Sequence, residues 1–110
     1  MPKDDVIRLR HMRDAAIEAR SFVGGKRRAD LDRDRMLALS LVRCIEILGE
    51  AATQVSEEGR KGLPGIPWPS IIGMRNRLVH AYFDVDLDRV WDSVVDDLPP
   101  LIAELERVLR

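Results

Sequence analysis

Met36-Leu37-Ala38-Leu39-Ser40-Leu41-Val42-Arg43-Cys44-Ile45-Glu46-Ile47-Leu48 is the stretch whose reading decides the fold. Its apolar side chains cover most of a helical circumference. They leave a narrow polar stripe through Ser40, Arg43, Glu46, Glu50 and Gln54 at helical spacing. A helix this apolar needs cover on more than one side. In a chain of 110 residues that makes it a central bundle helix or part of a dimer interface. The pattern predicts a helix from about Leu31 to Ser56.

On the N-terminal side, Val6, Leu9, Met12, Ala16, Ala19 and Val23 mark one face of a helix from about Asp4, its expected cap, to Val23. Gly24-Gly25 stops it, and a short basic connection follows with Lys26, Arg27 and Arg28. On the C-terminal side, the glycines and prolines between Gly59 and Pro67 read as a loop. A third helix starts around Pro67–Ser70 and ends near Tyr82 or Phe83, with Ile71, Ile72, Met74, Leu78 and Val79 facing the core. Asp84 and Asp86 offer caps for a last helix in which Leu87, Val90, Trp91, Val94, Val95 and Leu98 keep the i, i+3, i+4, i+7 rule. Pro99-Pro100 removes two backbone donors and should kink it. The apolar phase continues through Ile102, Leu105 and Leu109, so the two halves should be nearly collinear. The expectation is an all-α bundle of four to five helices in one domain spanning 1–110, without a sheet.

Composition agrees. Apolar residues make up 45% and charged residues 34% of the chain, which suits a soluble helical domain and not a disordered one. Aromatics are only 5%, so aliphatic side chains must build the core, with Trp68 and Trp91 as packing anchors. The lone Cys44 excludes an internal disulfide and reads as a core thiol. No apolar run has the roughly 18 residues that a membrane span needs. Met1-Pro2-Lys3-Asp4-Asp5 lacks the order of a signal peptide, so a cytoplasmic location is expected. With His11 and His80 the only histidines and no cysteine cluster, no metal site or cofactor is expected.

The net charge of −1 excludes a protein that holds nucleic acid by bulk charge alone. The charge is uneven. Residues 1–43 carry 11 basic against 7 acidic side chains, and residues 44–110 carry 7 against 12. Of the 18 basic residues 15 are Arg, whose planar fork suits phosphate.

Chemistry concentrates in Arg75-Asn76-Arg77-Leu78-Val79-His80-Ala81-Tyr82. A histidine can move a proton near neutral pH, and an arginine can stabilise charge developing on a phosphate. Together they supply what metal-free cleavage of RNA requires. Five residues on a helix turn by about 140°, so one helix does not aim Arg75 and His80 at a single point. Arg75 and Tyr82, seven apart, lie on nearly the same line of the helix, and Asn76 and His80, four apart, form a second ridge. The motif converges more easily if the helix unwinds near His80, or if a second copy faces the first across a two-fold axis. Arg77, Lys26, Arg27 and Arg28 are candidate RNA contacts, whereas Glu46 and Glu50 read as partners for Arg43.

Arg75-x4-His80-x-Tyr82 resembles the R-x4-6-H motif of HEPN domains and, more narrowly, the R-x4-H-x-Y form of HepT-like toxins. Ile47-Leu48-Gly49-Glu50-Ala51-Ala52, Ile66-Pro67-Trp68 and the segment Asp86–Pro99 extend the resemblance over essentially the whole chain. It implies a homodimeric HEPN bundle and metal-independent endoribonuclease toxicity. Arg75 and His80 would be catalytic and Asn76 supporting. Tyr82 matches the tyrosine to which a minimal nucleotidyltransferase antitoxin of the MntA type attaches AMP. The alternative is a non-catalytic helical module that docks such a nucleotidyltransferase.

Overall fold

The computed structural model describes residues 1–110 and is helical throughout, with no strand. In chain order it has α1 (Lys3–Val23), α2 (Asp30–Arg33), α3 (Arg35–Gln54), α4 (Glu57–Lys61) and α5 (Trp68–His80). A final stretch follows as α6 (Leu87–Asp92), a π-helical turn (Ser93–Asp97) and α7 (Leu98–Val108). Four long helical stretches therefore form the bundle, and α2 and α4 are single-turn additions. No helix is long and apolar enough to cross a membrane.

The centre is α3, packed between α1 and α5, while the C-terminal stretch closes on α1. Leu9, Met12, Leu41, Val55, Val90, Val94 and Leu105 are fully buried where these helices meet. Burying each such side chain contributes roughly 1.5–3 kcal/mol before its ordering cost. Trp68 is buried as expected and donates its indole N–H to the Leu63 carbonyl at 3.1 Å; Trp91 is half-buried.

Several helix limits differ from the sequence reading. Pro2, not Asp4, caps α1, and Asp4 lies in its first turn. Gly24-Gly25 does end the helix: Gly25 takes a φ of 74° and Lys26 N–H closes a turn onto the Val23 carbonyl at 2.9 Å. The helix expected from Leu31 to Ser56 is interrupted at Asp34, which leaves the helical region and caps α3 by accepting from Leu37 N–H at 3.1 Å. Ser56, read as the end of that helix, instead caps α4, which runs on into the segment read as loop; it accepts from Gly59 N–H at 3.0 Å. Asp86 caps α6 as expected, through Arg89 N–H at 3.1 Å, whereas Asp84 caps nothing.

The prolines do not break the last helix. Its irregularity falls just before them, where Leu98 N–H bonds the Ser93 carbonyl five residues back. In that register the carbonyl of Val94 faces Pro99, which has no N–H to give. Arg20 of α1 supplies a donor instead, at 3.5 Å.

One buried carboxylate ties the bundle together. Asp5, only 3% exposed, accepts from Ser56 N–H at 2.9 Å and from Ser56 Oγ at 2.6 Å. Those two donors hold its carboxyl below the ordinary value, the side-chain bond contributing most. Gly59 lies against it: a Cβ there would collide with the carboxylate and stand 3.1 Å from Val55 Cγ1.

Candidate active site

Arg75 and Asn76 lie on α5, and His80 is its last residue. Arg75 reaches back to α3, where its Nη2 donates to Glu50 Oε2 at 2.6 Å. Its Nη1 donates to Asn76 Oδ1 at 2.8 Å. A guanidinium has five N–H donors, so three remain after these two bonds. The side chain is 27% exposed and that of Glu50 53%, so the pair sits at the rim of the bundle.

Close approach of the two helices makes this possible. A Cβ on Gly49 would collide with Arg75 Cβ, stand 2.7 Å from its Cγ and 3.3 Å from the Ile71 carbonyl. Only glycine fits where α5 crosses α3. Glu50 is therefore the partner of Arg75 and not, as read from the sequence, of Arg43. The spacing of seven residues from Arg43 to Glu50 along one helical stripe suggested the wrong pairing, because the true partner lies 25 residues away on another helix. A glycine next to a carboxylate in the middle of an apolar helix was the available signal.

The His80 side chain is exposed and makes no hydrogen bond within the chain. Because α5 stays helical to His80, the angle of about 140° between Arg75 and His80 stands. The alignment of Arg75 with Tyr82 does not. Ala81 ends the helix with its N–H on the Arg77 carbonyl at 2.8 Å, and Asp84 N–H returns to the Ala81 carbonyl at 3.0 Å. Tyr82 and Phe83 are thus the central pair of a turn. They are 78% and 79% exposed, with ring centroids 5.8 Å apart at an interplanar angle of 90°.

Arg77 is exposed on α5, and Val79, expected inside, is exposed as well. Lys26 and Arg27 are exposed beyond α1. Arg28 is engaged: it bonds Asp88 at 2.6 Å and Asp32 at 3.1 Å, and both carboxylates raise its affinity for the proton. It fastens α2 to α6. Cys44 is buried; burial and a bond to Glu18 push its thiol up to about 11, the profile of an inert thiol.

A groove of about 400 Å³ lies behind α5, lined by Ile45, Leu48, Ile71, Met74, Leu98 and Leu101 among others. None of Arg75, Asn76, His80 and Tyr82 lines it. In one chain the motif occupies an open surface.

The family model described as Ribonuclease HepT-like matches residues 12–108. The chain is 35% identical over 75 residues to the curated protein "Putative RNase MJ1380" of Methanocaldococcus jannaschii, covering 68% of this chain and 69% of the relative. It is 35% identical over 77 residues to "Probable ribonuclease HepT" of Thermococcus cleftensis, 70% of each. It is 33% identical over 81 residues to "Putative RNase TTE0752" of Caldanaerobacter subterraneus, 74% of this chain and 72% of the relative. No solved structure matches the chain.

Proposed function

The chain belongs to the HepT-like ribonuclease family of the HEPN superfamily, and from that premise we propose that it is a metal-independent endoribonuclease acting as the toxin of a toxin–antitoxin pair. The observation that carries this reading is the fixed guanidinium of Arg75. Glu50 and Asn76 hold it from two sides and leave three donors free, on the helix that ends at the exposed His80. The substrate's own 2′-hydroxyl attacks the adjacent phosphate, His80 moves the proton, and Arg75 stabilises the charge that builds on the phosphorane. The products end in a cyclic phosphate and a 5′-hydroxyl.

The site is completed by a second copy. Met36, Leu39, Arg43, Ile47, Glu50 and Gln54 are all exposed and fall on one line of α3. Three apolar side chains on that line lack cover, and the same line carries the partner of Arg75. Two chains meeting along it would bring two Arg75 groups to one cleft, which answers the angular separation within each chain. Tyr82, exposed two residues after His80, is the point at which a nucleotidyltransferase antitoxin attaches AMP. The added bulk and negative charge would obstruct phosphate entry and compete for the arginine.

The experiment is cleavage of bulk tRNA and mRNA by the purified chain in EDTA, with Arg75→Ala and His80→Ala alongside. Cleavage is expected to survive the chelator and to vanish in both variants. Cleavage abolished by EDTA would overturn the metal-free mechanism. A chain that binds a nucleotidyltransferase but cuts no RNA would make it a docking module. Mixed dimers of the two inactive variants should recover part of the activity if the site is shared.

A further inference from the structure

Tyr82 and Phe83 stand out among the aromatic residues. Turn tips ordinarily carry glycine, asparagine, aspartate or proline; this one carries two aromatic rings, each more than three-quarters exposed. The edge-to-face arrangement, at 5.8 Å and 90°, fixes the rings against each other and leaves ring faces open to solvent. Aromatic faces are the surface on which unpaired nucleobases stack, with little dependence on which base it is.

Position relates the turn to the chemistry. Tyr82 follows His80 by two residues and Phe83 by three, so the tip lies within about 7–10 Å of the histidine backbone. The charges divide accordingly. Arg75 and Arg77 are on the helix, whereas the tip is followed by the exposed Asp84, which repels phosphate. Asp86 is exposed too, with its carboxylate engaged in the α6 cap. A phosphate is drawn to the helix and a neutral ring system to the turn.

Resting on the reading of Arg75 and His80 as the phosphate-handling pair, we propose that the Tyr82–Phe83 turn is a stacking subsite for an unpaired nucleobase next to the scissile phosphate. The substrate class is single-stranded RNA. A duplex keeps its bases stacked on one another and cannot offer one to the turn.

Phe83 tests this best, because it is exposed and its replacement leaves the packing and Tyr82 intact. In a His80→Ala background, which leaves the RNA uncut, binding of a fluorescein-labelled unstructured oligoribonucleotide is measured by anisotropy. The same strand annealed to its complement serves as the comparison. Phe83→Leu, which keeps an apolar side chain but has no π-face, is expected to weaken single-strand binding about tenfold. Duplex binding and the sedimentation coefficient should not change. Phe83→Trp should restore single-strand affinity, and its added fluorescence should be quenched by the strand. Unchanged affinity in Phe83→Leu overturns the proposal, as does a sedimentation shift in Phe83→Ala, which would assign the rings to a second copy of the chain. With His80 present, RNA cleavage together with an unaltered Phe83→Leu affinity sinks the subsite alone. Binding and quenching without any cleavage sink the nuclease reading alone.

Discussion

At one corner of the bundle Asp5 of α1 accepts two hydrogen bonds from Ser56, with Gly59 pressed against its carboxylate. Toward the C-terminal end of α3, Glu50 accepts one from Arg75, with Gly49 pressed against the arginine stem. Both junctions join a carboxylate to a distant element across a glycine that has no room for a Cβ. They differ in what is left over. Ser56, half-buried, donates to the buried Asp5 and accepts from Gly59, so its hydroxyl is spent within the fold. Arg75 keeps three donors and stays in contact with water. The first arrangement turns polar groups into stability; the second holds a cation in place without satisfying it, which is the condition for binding phosphate.

Replacing Arg75 separates the two most sharply. Arg75→Ala should lower RNA cleavage by roughly 10²–10³-fold, while the melting free energy moves by less than about 1 kcal/mol because the ion pair lies at the surface. Initial rates and thermal melting on one preparation decide it. A collapse of stability would erase the contrast. Asp5→Ala should do the reverse, costing about 1.5–3 kcal/mol in chemical denaturation by stranding the Ser56 donors and leaving the rate per folded molecule unchanged.

The glycines refine the comparison. Gly49→Ala and Gly59→Ala should each destabilise by about 1–3 kcal/mol through overpacking. Only Gly49→Ala should also slow cleavage, since it pushes α5 and Arg75 off α3. Equal activity in the two would show that the crossing at Gly49 does not set the position of the arginine. A smaller effect is expected from Glu50→Gln, with cleavage down roughly tenfold through a loosened guanidinium and stability altered by less than about 1 kcal/mol.

Acid provides the last test. The carboxyl of Asp5 is held below its ordinary value in the folded chain, so its contribution is complete above the unfolded value of about 3.9. It is lost as pH falls through the lower folded value. Denaturation below about pH 4 should therefore be shallower in Asp5→Ala than in the parent. Parallel acid limbs would remove Asp5 as a source of that sensitivity.

Those features written in local periodicity were legible in the sequence. Leu87 through Leu109 keep one apolar phase, Gly24-Gly25 has its own turn chemistry, and Asp86 is a cap in the expected place. Asp34 was harder, because an aspartate among charged neighbours (Asp32, Arg33, Arg35) reads equally as a surface position or as a cap, and only tertiary packing chooses. Gly59 was misread since a glycine that makes room for a neighbour looks the same as one that bends a turn. The end of α5 at His80 carries no glycine or proline signal at all; the chain continues Ala81-Tyr82-Phe83. At the site, residue types pointed to Arg75 and His80, and the family resemblance added Asn76. What clamps the arginine depends on how α3 and α5 cross, which no local pattern records.

Arg20 on α1 reaches the Val94 carbonyl 74 residues further along the chain. Those two residues are far apart in time as well as in sequence. At a synthesis rate of roughly 5–20 residues per second, Arg20 waits about 4–15 s for Val94 to be made. Helix α1 is thus covered in two stages, by α3 first, and its inner face, with Leu9 and Met12, lacks the C-terminal part of its partner surface until then. The segment from Arg75 to His80 is already made by that stage. During translation, then, the Arg75–His80 motif is already present in the chain before α7 can pack on α1.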